Sequence, residues 1–206
     1  MNCLILQFNI KDFSGSKTIF PDMAKTLSSM LDLGTEAPDF ELKDVVTGKS
    51  ISFADARGAK GTLVMFICAH CPYVIHVQAE LVKIVAEYRD LGVDFIAISS
   101  NDVENYPGDS PEKLKEQAET VGFSFPYLYD EDQSVAKAYQ AECTPDFFLF
   151  DENNQLVYRG RMDESTPGND KPNDGKDLRA ALDALIKGTA ISEDQYPSMG
   201  CNIKWK

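Results

Sequence analysis

The sequence lacks a long apolar run. No stretch approaches the roughly 18 to 20 uninterrupted apolar residues that a membrane-spanning helix needs, so we expect no transmembrane segment. Residues 1–15, MNCLILQFNIKDFSG, also lack a basic leader region and a small-residue cleavage site, both of which a secretory signal peptide carries. We therefore expect a soluble, cytoplasmic protein.

Positive charge is scarce. The chain has 20 Lys and Arg against 33 Asp and Glu, for a formal net charge of −13. A surplus of negative charge repels phosphate backbones and anionic lipid headgroups. We therefore expect neither nucleic acid nor a membrane as a partner.

Cysteine is too infrequent for a disulfide framework. Five cysteines are spread over 206 residues, and disulfide-built domains are short, cysteine-dense and extracellular. In a cytoplasmic protein, a close cysteine pair indicates redox chemistry or metal binding. Cys68 and Cys71, in the stretch FICAHCPYVIHV, form the one C-x-x-C pair.

Length and patterning predict one α/β domain with additions at both ends. Residues 62–67, TLVMFI, form an apolar run of strand length, and an amphipathic helical pattern follows Cys71. Further strands are predicted at 93–98, 147–150 and 155–159, further helices at 111–121, 132–139 and 178–186, and a leading hairpin at 39–53. This order predicts a three-layer α/β/α domain. We predict an extension over residues 1–22 that is poorly ordered, a domain over 23–190 and a tail over 191–206 that packs on the domain.

The cysteine pair lies where the buried strand gives way to the helix. In open α/β sheets, chemistry gathers at the carboxyl ends of the strands. The positive end of a helix favours thiolate over thiol, so we expect Cys68 to be the attacking sulfur. Cys71 would then resolve the mixed disulfide that forms on Cys68. His70 either stabilises a thiolate or is merely exposed in the loop.

Other interpretations of the pair are weaker. Two buried structural cysteines are one alternative. Structural zinc is another, but it normally uses two close ligand pairs, and no second pair is present. Covalent haem requires His directly after the second cysteine, where Pro72 stands, and iron–sulfur clusters need more closely spaced cysteines. We expect no metal and no organic cofactor.

Four stretches together resemble the redoxin branch of the thioredoxin superfamily. They are LGTEAPDFELKD, FICAHCPYV, ECTPDFFLFD and MGCNIKWK, and with SSNDVENYPGDSPE they cover the chain from about residue 23 to its end. The chain is similar to peroxiredoxin-like proteins of the AhpC/TSA type in which a C-x-x-C replaces threonine-x-x-cysteine. This resemblance implies a thioredoxin fold with a peroxiredoxin-type leading hairpin.

The resemblance also implies roles for two further residues. It implies a cis peptide bond at Thr144–Pro145, in a loop that faces the C-x-x-C and offers its backbone to an extended substrate. Ile67 stands where thioredoxins usually have tryptophan, and Cys68 stands where peroxiredoxins need threonine. The second departure argues against proficient peroxidase activity.

These observations favour a thiol–disulfide oxidoreductase that uses Cys68 and Cys71. Its substrates would be protein or small-molecule disulfides, and its electrons would come from a dithiol protein. One alternative is a thiol peroxidase, in which peroxide oxidises Cys71; another is a redox-sensing binding module that does not turn over. Cys143 and Cys201 are candidate auxiliary thiols, with a small buried residue as the plainer interpretation of each.

Overall fold

The computed structural model describes residues 25–206. The predicted extension over residues 1–22 lies outside the described residues. In chain order the elements are β1 (Lys25–Leu27), β2 (Glu41–Asp44), β3 (Ser50–Ser52), β4 (Gly61–Phe66), α1 (Pro72–Tyr88), β5 (Val93–Ser99), α2 (Pro111–Val121), β6 (Tyr127–Tyr129), α3 (Ser134–Ala138), β7 (Cys143–Thr144), β8 (Asp146–Asp151), β9 (Leu156–Gly160), α4 (Lys176–Lys187) and β10 (Met199–Asn202).

A seven-stranded sheet forms the centre of the domain, in the order β3-β2-β6-β5-β4-β8-β9. The strands joined through helices, β4 with β5 and β5 with β6, pair in parallel. β8 runs antiparallel to both β4 and β9. The predicted leading hairpin is confirmed, because β2 and β3 pair antiparallel and extend the sheet beyond β6.

β4 shows why the sheet has two covered faces. All six of its residues are buried. Leu63 and Met65 pack with apolar residues of α1, α2 and α4 on one face, whereas Val64 and Phe66 pack with those of α3 on the other. Alternate strand residues point to opposite faces, so a strand covered on both sides must be apolar throughout. This packing confirms the three-layer α/β/α architecture.

α1 begins at the cysteine pair. Cys71 is its N-cap residue, and Pro72 occupies the first helical position, where a missing N–H does no harm. The buried residues of α1 recur every three or four positions, which turns one side of the helix onto the sheet. These residues are Val74, Val77, Glu80, Leu81, Ile84, Val85 and Tyr88.

A second, small sheet joins the two ends of the described chain. Its order is β1-β10-β7, with both pairings antiparallel. These strands have two to four residues, too few to show a hydrophobic period, and the sequence did not predict them. Through β10, the segment over residues 191–206 lies against the domain. Among residues 25–206, none of the helices is long and apolar enough to cross a bilayer.

Candidate active site

Cys68 and Cys71 lie between the carboxyl end of β4 and the start of α1. Both residues are buried, with 1% and 0% of their surface exposed. Sγ of Cys68 lies 3.3 Å from the hydroxyl oxygen of Thr144. Sγ of Cys71 lies 3.2 Å from the carbonyl oxygen of the same threonine. One residue therefore contacts both sulfurs.

Thr144 precedes the one cis peptide bond among the described residues, Thr144–Pro145. This confirms the cis geometry that the resemblance implied. The Thr144 backbone is, however, paired with Cys201 of β10. The strand position beside Thr144, where an extended substrate was expected, is thus occupied by the chain's own carboxyl-terminal segment.

His70 contacts a carboxylate. Its Nδ1 lies 2.6 Å from Oδ2 of Asp109, whose side chain is completely buried. Oδ1 of Asp109 accepts hydrogen bonds from the backbone N–H groups of Ala69 and His70, at 2.8 and 3.1 Å. Hydrogen bonding to Asp109 raises the pKa of His70 above its ordinary value. His70 is therefore neither merely exposed nor hydrogen-bonded to a sulfur.

The pKa values of the two cysteines shift in opposite directions. The neighbouring thiols of Cys201 and Cys68, in that order, lower the pKa of Cys71 to about 2. The hydrogen bond to Cys71, burial and the Asp109 carboxylate raise the pKa of Cys68 well above its ordinary value. The expectation that Cys68 carries the thiolate stays a prediction, although these pKa shifts favour the charge on Cys71. Cys71 is the N-cap residue, so the helix terminus favours the charge there, and its Sγ lies 2.7 Å from that of Cys201.

The two candidate auxiliary cysteines differ in their contacts. Cys201 Sγ lies 2.7 Å from Cys71 Sγ. Cys143 Sγ is 3.8 Å from the carbonyl oxygen of Pro145, and burial raises its pKa. The structure brings Cys201, and not Cys143, into direct contact with the pair.

The sequence interpretation missed Asp109 and the residues that link it to the tail. Nδ2 of Asn101 donates to Oδ2 of Asp109 at 2.6 Å, and Oδ1 of Asn101 accepts from the backbone N–H of Lys204 at 2.8 Å. The C-x-x-C loop and the carboxyl-terminal segment are therefore joined through two side chains. The stretch SSNDVENYPGDSPE, which contains both, was the available signal, but local spacing does not reveal that it folds back over Ala69 and His70.

Three donor atoms of Cys68, His70 and Asp109 lie within 4.8 Å of one another. They form the one group of at least three potential metal ligands among residues 25–206. Structural zinc sites use four ligands, and this group offers three. The group therefore lacks the fourth ligand of a structural zinc site, and it includes only one cysteine of the pair.

A cavity of about 180 Å³ lies beside the cis-proline loop. Its lining includes Tyr73 and Val77 of α1, Pro145, and Ser198 and Met199 of the carboxyl-terminal segment. Pro145 follows Thr144, which contacts both sulfurs, and Tyr73 is the second residue after Cys71. This cavity is the concave surface through which a ligand could approach the pair.

Comparisons with known proteins agree with this geometry. The model of the AhpC/TSA family matches residues 33–159. The thiol-disulfide oxidoreductase ResA of Halalkalibacterium halodurans is 28% identical over 138 residues, which cover 66% of this chain and 73% of that protein.

Two solved structures place the fold. An uncharacterized conserved protein from Geobacillus kaustophilus superposes with a TM-score of 0.88 at 52% identity, covering 90% of this chain and 98% of that one. The thioredoxin domain of a thiol-disulfide oxidoreductase from Bacteroides vulgatus superposes with a TM-score of 0.56 at 21% identity. The match covers 72% of this chain and 96% of that one. The domain therefore has the thioredoxin fold.

Proposed function

The chain belongs to the AhpC/TSA family, and from this premise we propose that it is a thiol–disulfide oxidoreductase that cycles a Cys68–Cys71 disulfide. The observation that carries the proposal is that both sulfurs contact Thr144 of the cis-proline loop, one through its hydroxyl and one through its carbonyl. The relatives named thiol-disulfide oxidoreductase support the same reaction class.

The reaction is a pair of exchange steps. The Cys68 sulfur attacks one sulfur of a substrate disulfide and forms a mixed disulfide, and the other substrate sulfur leaves as a thiolate. The Cys68 proton passes to Cys71, since Cys71 is the ionised member of the pair. The released substrate thiolate takes that proton in turn. Cys71 then attacks Cys68, which forms the Cys68–Cys71 disulfide and frees the second substrate thiolate. Two electrons leave the protein for the substrate, and a dithiol protein returns them.

The substrate class that fits best is a protein disulfide. Both sulfurs are buried, and the cavity between Tyr73, Pro145 and Met199 gives a substrate a route toward them. Its lining is mixed, with apolar side chains and the polar groups of Asp163 and Ser165. An extended peptide segment has both backbone polar groups and apolar side chains to offer such a surface.

The cytoplasmic location and the lack of nucleic-acid and membrane partners stay predictions.

A peroxidase of the peroxiredoxin type is favoured less. The low pKa of Cys71 would suit attack on a peroxide. However, Cys68 occupies the position of the threonine that peroxiredoxins need. The two arginines near β9 also have other partners: Arg161 pairs with Asp177, and Arg159 donates to the Leu31 carbonyl oxygen. A redox-sensing module is the second alternative.

Insulin-disulfide reduction with dithiothreitol as electron donor tests the proposal. We expect Cys68→Ser and Cys71→Ser each to lose the catalysed rate, whereas Cys143→Ser, a matched control with an equally buried cysteine, keeps it. A wild-type rate in either of the first two variants would overturn the proposal. Oxidation of the wild type without turnover would favour the sensing module, and peroxide consumption faster than insulin reduction would favour the peroxidase.

A further inference from the structure

Cys201 is presented to the active site by a strand. β10 pairs antiparallel with β7, and in that register Cys201 lies opposite Thr144. Cys201 is 3% exposed, and its Sγ lies 2.7 Å from Cys71 Sγ. A disulfide bond is about 2.05 Å long, so a small side-chain movement would suffice to form one between these sulfurs.

The close approach of β10 depends on a glycine. A Cβ atom at Gly200 would lie 2.0 Å from the carbonyl oxygen of Thr144. Only a residue without a side chain lets the two backbones come this near. The strand that carries Cys201 therefore packs directly against Thr144, the residue that contacts both cysteines of the C-x-x-C.

The strand is also anchored beyond Cys201. The backbone N–H of Ile203 donates to the carbonyl oxygen of Glu142 at 3.0 Å. The Lys204 carbonyl oxygen accepts from Nε2 of Gln133 at 2.7 Å and from the backbone N–H of Asp102 at 2.8 Å. The position of Cys201 is therefore determined by contacts on both sides of it.

Cys143 shows what a merely buried cysteine looks like at this site. It is fully buried on the neighbouring strand β7, opposite Asn202, and its sulfur lies 3.8 Å from the carbonyl oxygen of Pro145. Burial alone therefore does not bring a sulfur to Cys71. The register of β10 does so for Cys201.

We propose that Cys201 is a third redox thiol of this site, which takes over the disulfide from Cys68. This inference rests on the proposed Cys68–Cys71 cycle. The Cys201 thiolate attacks Cys71 Sγ in the Cys68–Cys71 disulfide, the Cys71–Cys201 bond forms, and Cys68 leaves as a thiolate that takes up the proton lost by Cys201. The step exchanges one disulfide for another, so it needs no further oxidant or reductant.

The electrostatics favour this step after oxidation. In the reduced protein, the hydrogen bond to Cys71, burial and the charge of Cys71 raise the pKa of Cys201. Once Cys71 is in a disulfide its negative charge is gone, whereas Lys204, which favours the Cys201 thiolate, remains. The oxidised protein then regains a free Cys68 while the disulfide is held at the carboxyl-terminal strand.

Peptide mapping of the oxidised full chain tests the exchange. All proteins carry Cys3→Ser, because Cys3 lies outside the described residues. Each variant is oxidised with diamide, quenched in acid, alkylated with N-ethylmaleimide and mapped by mass spectrometry without reduction. We expect both the 68–71 and the 71–201 peptides in the parent. Only the 71–201 peptide is expected in Cys68→Ser, and only the 68–71 peptide in Cys201→Ser.

The alkylation pattern supplies a second readout. In Cys201→Ser, the fraction of Cys68 that N-ethylmaleimide labels in the oxidised protein should fall by about tenfold or more, because Cys68 stays in its disulfide. Cys143→Ser should match the parent in both readouts. Thermal unfolding checks that each serine variant is folded. If Cys201→Ser or Cys68→Ser is not folded, Cys201→Ala or Cys68→Ala is used in its place.

Failure of this inference can be told from failure of the proposed function. The variant Cys68→Ser is oxidised under conditions that fully oxidise the parent. The role of Cys201 would be overturned if all three remaining thiols were alkylated, or if Cys71 were joined to Cys143. The insulin assay would still stand in that case. Survival of insulin reduction in Cys68→Ser would instead overturn the proposed function.

Discussion

Asp109 holds His70 through a contact of 2.6 Å between its Oδ2 and the Nδ1 of the imidazole. Thirty-nine residues separate the two along the chain. The same carboxylate accepts the backbone N–H groups of Ala69 and His70, so it also sets the conformation of the loop between the two cysteines. A buried carboxylate next to a thiol disfavours the thiolate, and Asp109 does this to Cys68. One side chain therefore shapes the C-x-x-C loop and adds to the rise in the Cys68 pKa, after the larger effects of the Cys71 hydrogen bond and burial.

Asp109→Asn should lower two pKa values at once. The pKa of His70 should fall toward its ordinary value of about 6.5, because the hydrogen-bonded carboxylate that raises it is gone. The pKa of Cys68 should fall because a nearby negative charge is removed. Proton NMR of the two histidines, with the His70 signal assigned from His70→Gln, checks the first shift. Thiolate absorbance in a Cys71→Ser background checks the second. A His70 titration that does not move would contradict the pairing.

Cys201→Ala should raise the pKa of Cys71 from about 2 toward the ordinary cysteine value of about 8.5, since the largest cause of its lowering is the Cys201 thiol. The ultraviolet absorbance of the thiolate at acidic pH, followed in reducing buffer, measures this change. Cys201→Ser, whose hydroxyl can donate in the same place, should restore part of the lowering. Cys143→Ala is the matched control and should leave the titration unchanged. Equal curves for Cys201→Ala and the wild type would contradict the assignment.

Gly200→Ala should destabilise the carboxyl-terminal strand. The new Cβ would collide with the backbone of Thr144, and a backbone neighbour cannot move aside as a flexible side chain would. We expect a loss of about 1 to 3 kcal/mol in the free energy of unfolding. Urea unfolding measures the loss. Gly108→Ala is the control, because its Cβ would meet His70 at an ordinary contact distance of 3.5 Å. Equal stability of the two variants would show that the backbone of β10 does not lie against the Thr144 carbonyl group.

Asp146→Asn should change how stability depends on pH. Burial raises the pKa of Asp146 well above its ordinary value, which is about 3.9 in an unfolded chain. Between those two values the folded chain holds one more proton than the unfolded chain, so Asp146 lowers the free energy of unfolding as the pH rises. Asn does not titrate. The stability of Asp146→Asn relative to wild type should therefore increase above about pH 4, by up to about 1.4 kcal/mol per pH unit.

Urea unfolding of both proteins in reducing buffer, from pH 4 to pH 7, checks this prediction. The free energy of unfolding of Asp146→Asn minus that of wild type should rise with pH over that range. A difference between the two proteins that does not change with pH would show that the pKa of Asp146 is not raised and would contradict the prediction.

Local patterns predicted much of the framework. The continuous apolar run before Cys68 could only be a strand covered on both faces, and the change to a three-to-four-residue period after Cys71 set the start of α1 at Pro72. The α2 helix is bounded by its own signals, an N-cap at Ser110 and a left-handed residue at Gly122. Such features depend on neighbours within a few positions, which a sequence displays directly.

The charge distribution in the site was not predictable in this way. The helix terminus suggested a thiolate at Cys68, but the terminus lies at Cys71, which is also the middle member of three sulfurs. After the Cys71 hydrogen bond and burial, the Asp109 carboxylate also raises the pKa of Cys68, and it comes from a loop after β5. The pKa of a buried group depends on every charge and donor around it, and most of those here are far away in the sequence.

The sequence by itself determined the α/β layering, the place of Cys68 and Cys71 at a strand-to-helix junction, and, through its resemblance, the cis bond before Pro145. Only the tertiary structure decided that Asp109 controls the loop and that β10 pairs with β7 and sets Cys201 against Cys71. The reason is physical: β7 and β10 are two and four residues long. Strands this short show no local hydrophobic period that a sequence could reveal. Their pairing across more than fifty residues depends on the packing of the whole chain.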